Sequence, residues 1–351
     1  MYMRIFSPTL LVAAAALFST TFGCTKPLAD RVLHIASWSN YVTPEVAAAF
    51  QAKTGIKVLV SNYSSNEELL AKLQAGASGY DLAIPSDYMV FVMKQLGLLQ
   101  PMEISKIPNF KNIDKKWLGK QFDPKNDFSV PFDWGTTGIA YNSAIIKEPI
   151  TSWKDLFERK DLAGKVTFLD DSRETIAAAL KAIGKSLNSN SPTDLEQAKK
   201  LLMGARSRIK AFSSETQEPL VSGEFLVAHA YMTDALQAKA RTQGKIKYVI
   251  PKEGSTLWID TMVIPKGAIH LDEARSFINF LLDPTVAAPL VQKIWVSPAN
   301  HLVSALLPPV YQNEEGLFPK DAQLKNSEMF EDLGEGITAW DRVWTEVKAA
   351  G

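Results

Sequence analysis

The chain has 351 residues, 46% of them hydrophobic and 22% charged, with 38 basic and 38 acidic side chains and a formal net charge of zero. That is the balance of an ordinary globular protein, and with no Lys/Arg run and no zinc-ligand spacing it argues against a nucleic-acid partner. The length exceeds one comfortable hydrophobic core, so two domains are expected, and neither an internal repeat nor a low-complexity linker divides them.

The first segment, MYMRIFSPTLLVAAAALFSTTFGC, has an early positive charge at Arg4, an apolar run from Leu10 to Phe18, then small and polar residues. This is the pattern of a secretory signal over residues 1–23. Its apolar stretch is well short of the roughly 20 residues a permanent membrane helix needs. Cys24 is the only cysteine, so no intramolecular disulfide is available even in an oxidising compartment. A lone cysteine directly after a signal core resembles a bacterial lipoprotein site, with Thr21 and the bulky Phe22 departing from the usual pattern. Lipidation of Cys24 would tether the protein to a membrane surface. The alternative is an incidental cysteine with cleavage nearer Ala29.

From there apolar β-branched runs alternate with helical patterns. RVLHIAS is predicted as a strand, TPEVAAAFQAKTG as a helix closing on Gly55, IKVLVSNY as a strand, and SNEELLAKLQAGASG as a helix opening with Ser65 and Glu68 at capping spacing. YDLAIPS and YMVFVMKQLG continue as strand and helix. The rhythm implies a mainly parallel sheet covered on both faces. FSVPFDWGTTGIAYN interrupts it with two β-like runs around Gly135. A second alternation follows, through SWKDLFERKDLAG, KVTFLDD, RETIAAALKAIG, DLEQAKKLLMGA, EFLVAHAYM, DALQAKARTQG and KIKYVI. LWIDTMVIP, the helix HLDEARSFINFLL and a C-terminal helix around ITAWDRVWTEVKAA complete the chain. Two α/β units joined by extended segments near Trp134 and Trp258 suggest a bilobed, hinged molecule.

In open α/β sheets ligands collect beyond the carboxyl ends of the strands. That rule selects Trp38 and Tyr41 in SWSNY, Ser86, Asp87 and Tyr88 in IPSDY, and Asp171 and Glu174 after KVTFLDD. It also selects Tyr231 and Asp234 in VAHAYMTD, and Trp258 and Asp260 in LWID. Asp171 and Glu174 have a plainer explanation as a capping box at a helix start. Single aromatics such as Trp38, Tyr88 and Trp258 are more often packing residues. Asp260 is odder, because a carboxylate within an apolar strand is rarely buried without a partner. Taken together the set is aromatic and acidic, with no obvious Lys or Arg to compensate it. Like charges repel more strongly as water leaves a closing cleft, so such a site needs a cation. A flexible aliphatic chain with charged nitrogens suits it: carboxylates take the ammonium ends, and Trp and Tyr faces cover the methylenes.

Several stretches carry a closer likeness: HIASWSNYVTPEVAAAFQAKTGIKVLVSNY, YDLAIPSDY, FDPKNDFSVPFDWGTTGIAYN, TSWKDLF, FLDDSRE, WIDTMVIP and FINFLLDP. In order, over essentially the whole mature chain, they resemble the bacterial spermidine and putrescine receptors of ABC uptake systems. The resemblance implies an α/β fold of the two-lobed periplasmic binding protein type, with mixed, mainly parallel sheets flanked by helices and the ligand clamped between lobes. The lobes would be 30–136 plus about 259–305, and 137–258 plus about 306–351. Family binding positions fall on Trp38, Tyr41, Ser86, Tyr88, Asp171, Glu174, Tyr231, Trp258 and Asp260. Tyr88, Asp171 and Trp258 look like the spermidine type, Ser39 and Asp234 like the putrescine type. A ring-bearing family position falls on Val296, with Trp295 beside it, and a late glutamine falls near Phe330, so that Phe330 and Trp295 would close one end of the pocket.

The function this implies is capture of polyamines, spermidine preferred and putrescine also bound, for delivery to an ABC permease and its ATPase. The protein is expected to be a monomer outside the cytoplasmic membrane, touching it only through a lipid on Cys24, and to need no cofactor or metal. Three rivals remain at this point. A secreted enzyme could use Asp171 and Glu174 as acid and base, but no phosphate loop, paired metal-ligating histidines or nucleophile elbow accompanies them. An iron receptor could use Tyr41, Tyr88 and Tyr231. A polyamine sensor could dock on a membrane signalling protein.

Overall fold

The structure, a computed structural model, describes residues 31–39, 41–76 and 79–350. The expected signal segment, Cys24 and Ala29 lie outside them. No helix among the described residues is long and apolar enough to cross a membrane.

The first unit runs β1 (Val32–Ser37), α1 (Pro44–Thr54), β2 (Lys57–Asn62), α2 (Asn66–Gln74), β3 (Leu82–Ala83) and α3 (Asp87–Gln95). Local chemistry sets its boundaries. The Thr43 hydroxyl accepts the Val46 N–H and Pro44 occupies the first turn of α1, which ends where Gly55 adopts φ 72°. The Ser65 hydroxyl caps α2 by accepting the Glu68 N–H, while the Glu68 carboxylate reaches back to Ser64. Strand β3 is far shorter than its apolar run, because Pro85 has no N–H to donate and Ser86 already occupies the N-cap position of α3.

β4 (Leu99–Gln100) and short 3-10 turns lead into β5 (Ser129–Asn142), a single strand of 14 residues that passes through Gly135 without a break. The second unit comprises α4 (Trp153–Glu158), β6 (Val166–Phe168), α5 (Ser172–Ala182), α6 (Pro192–Gly204), β7 (Ile209–Phe212), α7 (Gln217–Ser222), β8 (Val227–Tyr231), α8 (Met232–Arg241) and β9 (Ile246–Val249). β10 (Thr256–Pro265) then returns alongside β5. Last come α9 (Leu271–Leu281), α10 (Pro284–Ile294), β11 (Ser297–Pro298), α11 (Pro309–Gln312), α12 (Asp321–Leu324) and α13 (Ile337–Ala349).

The sheet runs β2-β1-β3-β10-β5-β8-β6-β7. Its two ends are parallel, β1 with β2 and β3, and β6 with β7 and β8. Its middle is antiparallel, where β10 and β5 pair with each other and with their neighbours. Two hydrophobic cores flank that middle. One joins Leu33, Ile35, Phe50, Leu69, Met93 and Phe277 to Val130, Phe132 and Trp134 at the start of β5. The other joins Trp153, Phe168, Leu180, Leu202 and Trp340 to Ile139 and Tyr141 at its end. Each large side chain so buried stabilises the fold by roughly 1.5–3 kcal/mol. Strand β5 therefore leaves one core and enters the other within a few residues of Gly135, and the ends of β1, β3, β6 and β8 converge on that crossing.

Candidate functional site

Asp260 lies in β10 where the pairing with β5 shifts register, next to Thr261. The shift is held by Thr261, whose N–H donates to the Pro85 carbonyl at 2.8 Å, so that β10 is pinned to the turn between β3 and α3. At 5% exposure Asp260 is well buried. Its Oδ2 accepts the Tyr41 hydroxyl at 2.6 Å and its Oδ1 accepts the Ser86 hydroxyl at 2.7 Å. Burial pushes its carboxyl up to about 6, against the opposing pull of those two hydroxyls. Directly opposite in the ladder stands Asp133, 1% exposed. Neither of its carboxylate oxygens accepts a hydrogen bond from any described residue. Burial and then the charge of Asp260 hold it well above the usual carboxylate range, against a smaller opposing pull from the nearby Tyr41 hydroxyl.

Asp87, selected with Ser86 and Tyr88, is also buried but takes backbone donors: the Tyr88 N–H at 2.7 Å and the Ile259 N–H at 3.3 Å. Burial carries it up to about 8. Its position ties α3 to β10 beneath Asp260. Trp38 is half-buried against Tyr63, ring centroids 4.6 Å apart, and Ser39 is exposed. Tyr63 donates its hydroxyl to the Ile84 carbonyl.

The second acidic group sits at the start of α5. The Asp171 Oδ1 accepts the Glu174 N–H at 3.0 Å, the N-cap bond expected from the sequence, and its Oδ2 accepts the Tyr231 hydroxyl at 3.3 Å. Glu174 departs from the capping-box expectation. Its side chain turns into the sheet crossing, where Thr137 of β5 and Thr256 of β10 donate their hydroxyls, each at 2.8 Å. The His229 Nε2 stands 3.9 Å away. Burial first, then the charge of Asp171, pushes Glu174 up to about 8, and burial pushes His229 down to about 3, so the histidine stays neutral.

Aromatic walls connect the two groups. The Trp258 ring covers Gly135, its partner in the ladder: a Cβ there would lie 2.3 Å from Cζ2. Only glycine admits the ring in that place. Tyr88 links α3 to α2 through Asn66 Nδ2 and Glu67 Oε1, both at 3.1 Å, and meets Phe330 edge to face. Phe330 is carried in by residues 328–330, where the Leu257 N–H donates to the Glu328 carbonyl at 2.8 Å.

Two expectations change here. The site is not free of cations, because the Arg173 guanidinium lies 4.5 Å from the centre of the Phe330 ring and 5.6 Å from that of Tyr88. One of its nitrogens donates to the Glu331 carbonyl at 2.9 Å, and burial lowers its affinity for its proton. Nor do Phe330 and Trp295 close one end together. Trp295 lies tilted against Tyr311, ring centroids 4.4 Å apart, and packs with Met232, Leu236 and Leu317, while Phe330 stays with Tyr88 and Arg173. Asp234 is partly buried and accepts the Thr216 hydroxyl at 2.8 Å.

The structure thus brings together Tyr41, Ser86 and Asp260 directly, and Asp171 with Tyr231 directly. Trp258 spans the crossing between them, with Tyr88 and Trp38 on the first unit. Asp133 and Arg173 escaped the sequence reading. Asp133 carries the same signal as Asp260, an acid inside an apolar strand, and Arg173 was hidden within the helix-start pattern.

Residues 45–319 match the family described as bacterial extracellular solute-binding protein. Over 97% of both chains, 35% of positions are identical to the spermidine/putrescine-binding periplasmic protein of Escherichia coli. The putrescine-binding periplasmic protein of Pseudomonas aeruginosa is 33% identical over 99% of both. Among solved structures, the substrate-binding protein of a spermidine/putrescine ABC transporter from Streptococcus pneumoniae superposes with a TM-score of 0.83 at 32% identity, covering 91% of this chain and 99% of that one. A putative spermidine/putrescine ABC transporter protein from Listeria monocytogenes gives 0.85 at 33%, with the same coverage.

Proposed function

The chain belongs to the family of bacterial extracellular solute-binding proteins, and from that premise we propose that it captures polyamines and delivers them to an ABC permease powered by its ATPase. The observation that carries this reading is the pair of acidic groups, the buried Asp260 and the half-buried Asp171 with the buried Glu174, set apart by Trp258 and Tyr88. Carboxylates at two ends and ring faces between them match a chain of methylenes with a cationic nitrogen at each end. The names of the relatives point the same way.

In this reading Tyr41, Ser86 and Asp260 hold one ammonium, and Asp171, Glu174 and Tyr231 hold the other. Trp38, Tyr88 and Trp258 cover the methylenes, Ser39 and Asp234 adjust the fit, and Asp87 positions the first group from below. The lobes are 30–136 with about 259–305, and 137–258 with about 306–351, a division that the two cores on either side of Gly135 support. They close on the ligand as a monomer. The protein is exported, and Cys24 carries a lipid anchor.

Isothermal titration calorimetry with putrescine, spermidine and spermine tests the proposal. Spermidine binds best, by less than about tenfold over putrescine, a gap under roughly 1.4 kcal/mol. Heat-silent titrations with no thermal stabilisation by any of the three would overturn it. Small-angle scattering of the ligand-free and ligand-saturated protein tests closure, which should shrink the radius of gyration.

A further inference from the structure

Asp133 lies in β5 between Phe132 and Trp134, opposite Asp260 in the antiparallel ladder. Residues opposed in this way project from the same face of the sheet, with Cβ atoms about 4.5–5.5 Å apart. Burial and the charges of Asp133 and Asp260 hold the Tyr41 hydroxyl above its ordinary range, which places the three groups in one cluster. The Tyr41 hydroxyl is near enough to ease the charge of Asp133, but it donates to Asp260 at 2.6 Å, and neither oxygen of Asp133 receives a hydrogen bond from the described residues. The narrow cavity beside it is walled by Leu282, Leu290, Val291 and Val296. The other polar lining residue, Asn300, donates its amide to the Leu282 carbonyl at 2.9 Å and accepts the Leu302 N–H at 2.9 Å. A carboxylate buried to 99% with two unpartnered oxygens is costly to keep, and such a group calls for a specific partner.

The two acids divide what a cation offers. A primary ammonium has three N–H donors and a guanidinium has several in a fixed fork. The oxygens of Asp260 already each accept a hydroxyl, whereas those of Asp133 accept none from the described residues. We propose that Asp133 is a ligand-binding residue which, with Asp260, grips one cationic terminus of the ligand: Asp260 is oriented by Tyr41 and Ser86, and Asp133 takes the N–H donors that remain. This rests on the polyamine reading of the site and deepens it, by assigning to this end a terminus rich in donors rather than a bare methylene end.

The test compares wild type, Asp133→Asn and Asp133→Leu by calorimetry with putrescine, spermidine and an aminobutyl guanidine, alongside thermal unfolding of the ligand-free proteins. Wild type should bind at least one of the three. Both variants should lose at least about tenfold in affinity for it, while their ligand-free Tm equals or exceeds that of wild type, because an unpaired buried acid has been removed. A larger loss for the guanidinium-ended chain assigns the terminus as guanidinium, and a larger or equal loss for the amines assigns it as ammonium. Unchanged affinity in the folded variants, or lost affinity with a lower ligand-free Tm, overturns the role of Asp133 and leaves the receptor reading standing. Failure of wild type to bind any of the three overturns the receptor reading and the assignment with it.

Discussion

The two acidic ends of the site are built differently. At the α5 end the protein has already supplied partners: Asp171 takes a backbone N–H and the Tyr231 hydroxyl, Glu174 takes two threonine hydroxyls, and Arg173 stands close by. At the β10 end Asp260 takes two hydroxyls, Asp133 accepts no hydrogen bond from the described residues, and among those residues no cation is close enough to pull either carboxyl down. One end is already satisfied within the protein, and in the proposed reading the other is left for the ligand to complete. A ligand should therefore gain most of its electrostatic free energy at the β10 end and be positioned at the α5 end.

The sharpest way to break that comparison is Asp260→Asn. Removing one partner of a buried charge pair typically costs about 2–5 kcal/mol, so polyamine affinity should fall at least about tenfold. Asparagine still accepts a hydroxyl, and circular dichroism should show a folded protein. Calorimetry that finds near-wild-type affinity would move the dominant charge contact away from β10.

Gly135→Ala comes next, because it attacks the surface between the ends. The added methyl would meet the Trp258 ring at 2.3 Å, and the ring, packed along the β10 backbone, has to shift. Overpacking of this kind costs about 1–3 kcal/mol. Both Tm and affinity should drop together, and an unaltered protein would show that the ring moves freely.

Asp171→Ala then separates capping from binding at the assembled end. Loss of an N-cap costs about 0.5–2 kcal/mol of stability, and denaturant unfolding should register it. Affinity of the folded protein should also fall, but by less than in Asp260→Asn. A variant destabilised with full affinity would reduce Asp171 to a helix cap.

Much of this contrast was legible in the sequence. Strand-end placement picked out Tyr41, Ser86, Tyr88 and Asp171, because the alternation of strands and helices fixes where the strands end; Asp260, inside β10, stood out instead as an acid in an apolar strand, and the Ser65 and Asp171 caps were readable from spacing alone. What failed depended on tertiary context. Gly135 reads as a break because glycine weakens a strand, yet β5 runs through it to admit Trp258. Helix α10 contains Pro289, a residue that argues against helix in a local reading. Glu174 has capping-box spacing, but the hydroxyls of Thr137 and Thr256, far away in sequence, draw its side chain inward.

Titration compares the ends in a single experiment. Burial raises Glu174 and Asp87 to about 8 and Asp260 to about 6, from ordinary values of 4.5 for the glutamate and 3.8 for the aspartates. Between its ordinary and raised values each group keeps a proton in the folded protein that the unfolded chain has released, so stability falls as pH rises. His229 acts oppositely: lowered to about 3 from 6.5, it refuses below 6.5 a proton that the unfolded chain accepts, so its contribution rises with pH up to that point. Above 6.5 only the acids count. The ligand-free Tm should decline from pH 6.5 to pH 8, and saturating spermidine should flatten or reverse the decline by holding the acids ionised. Scanning calorimetry that finds a flat or rising ligand-free Tm in that window would mean the acids are ionised already.

The smallest effect concerns selectivity, and it sits outside both ends. Asp234 lies in the first turn of α8, three residues beyond Tyr231, with its Oδ2 bonded to Thr216. Serine there can keep a hydroxyl bond to Thr216 while losing the charge, so Asp234→Ser removes electrostatics with little change in packing. Spermidine, with three nitrogens, can still draw on Asp171, Glu174 and Asp260. Putrescine has two, and a shorter reach. The variant should therefore weaken putrescine more than spermidine, shifting the ratio of affinities by less than about tenfold, or roughly 1.4 kcal/mol. Competition titration of the two amines on one protein sample reads that ratio directly. Equal losses would place Asp234 outside the ligand's reach, bound to Thr216 for the sake of the α7–α8 junction alone.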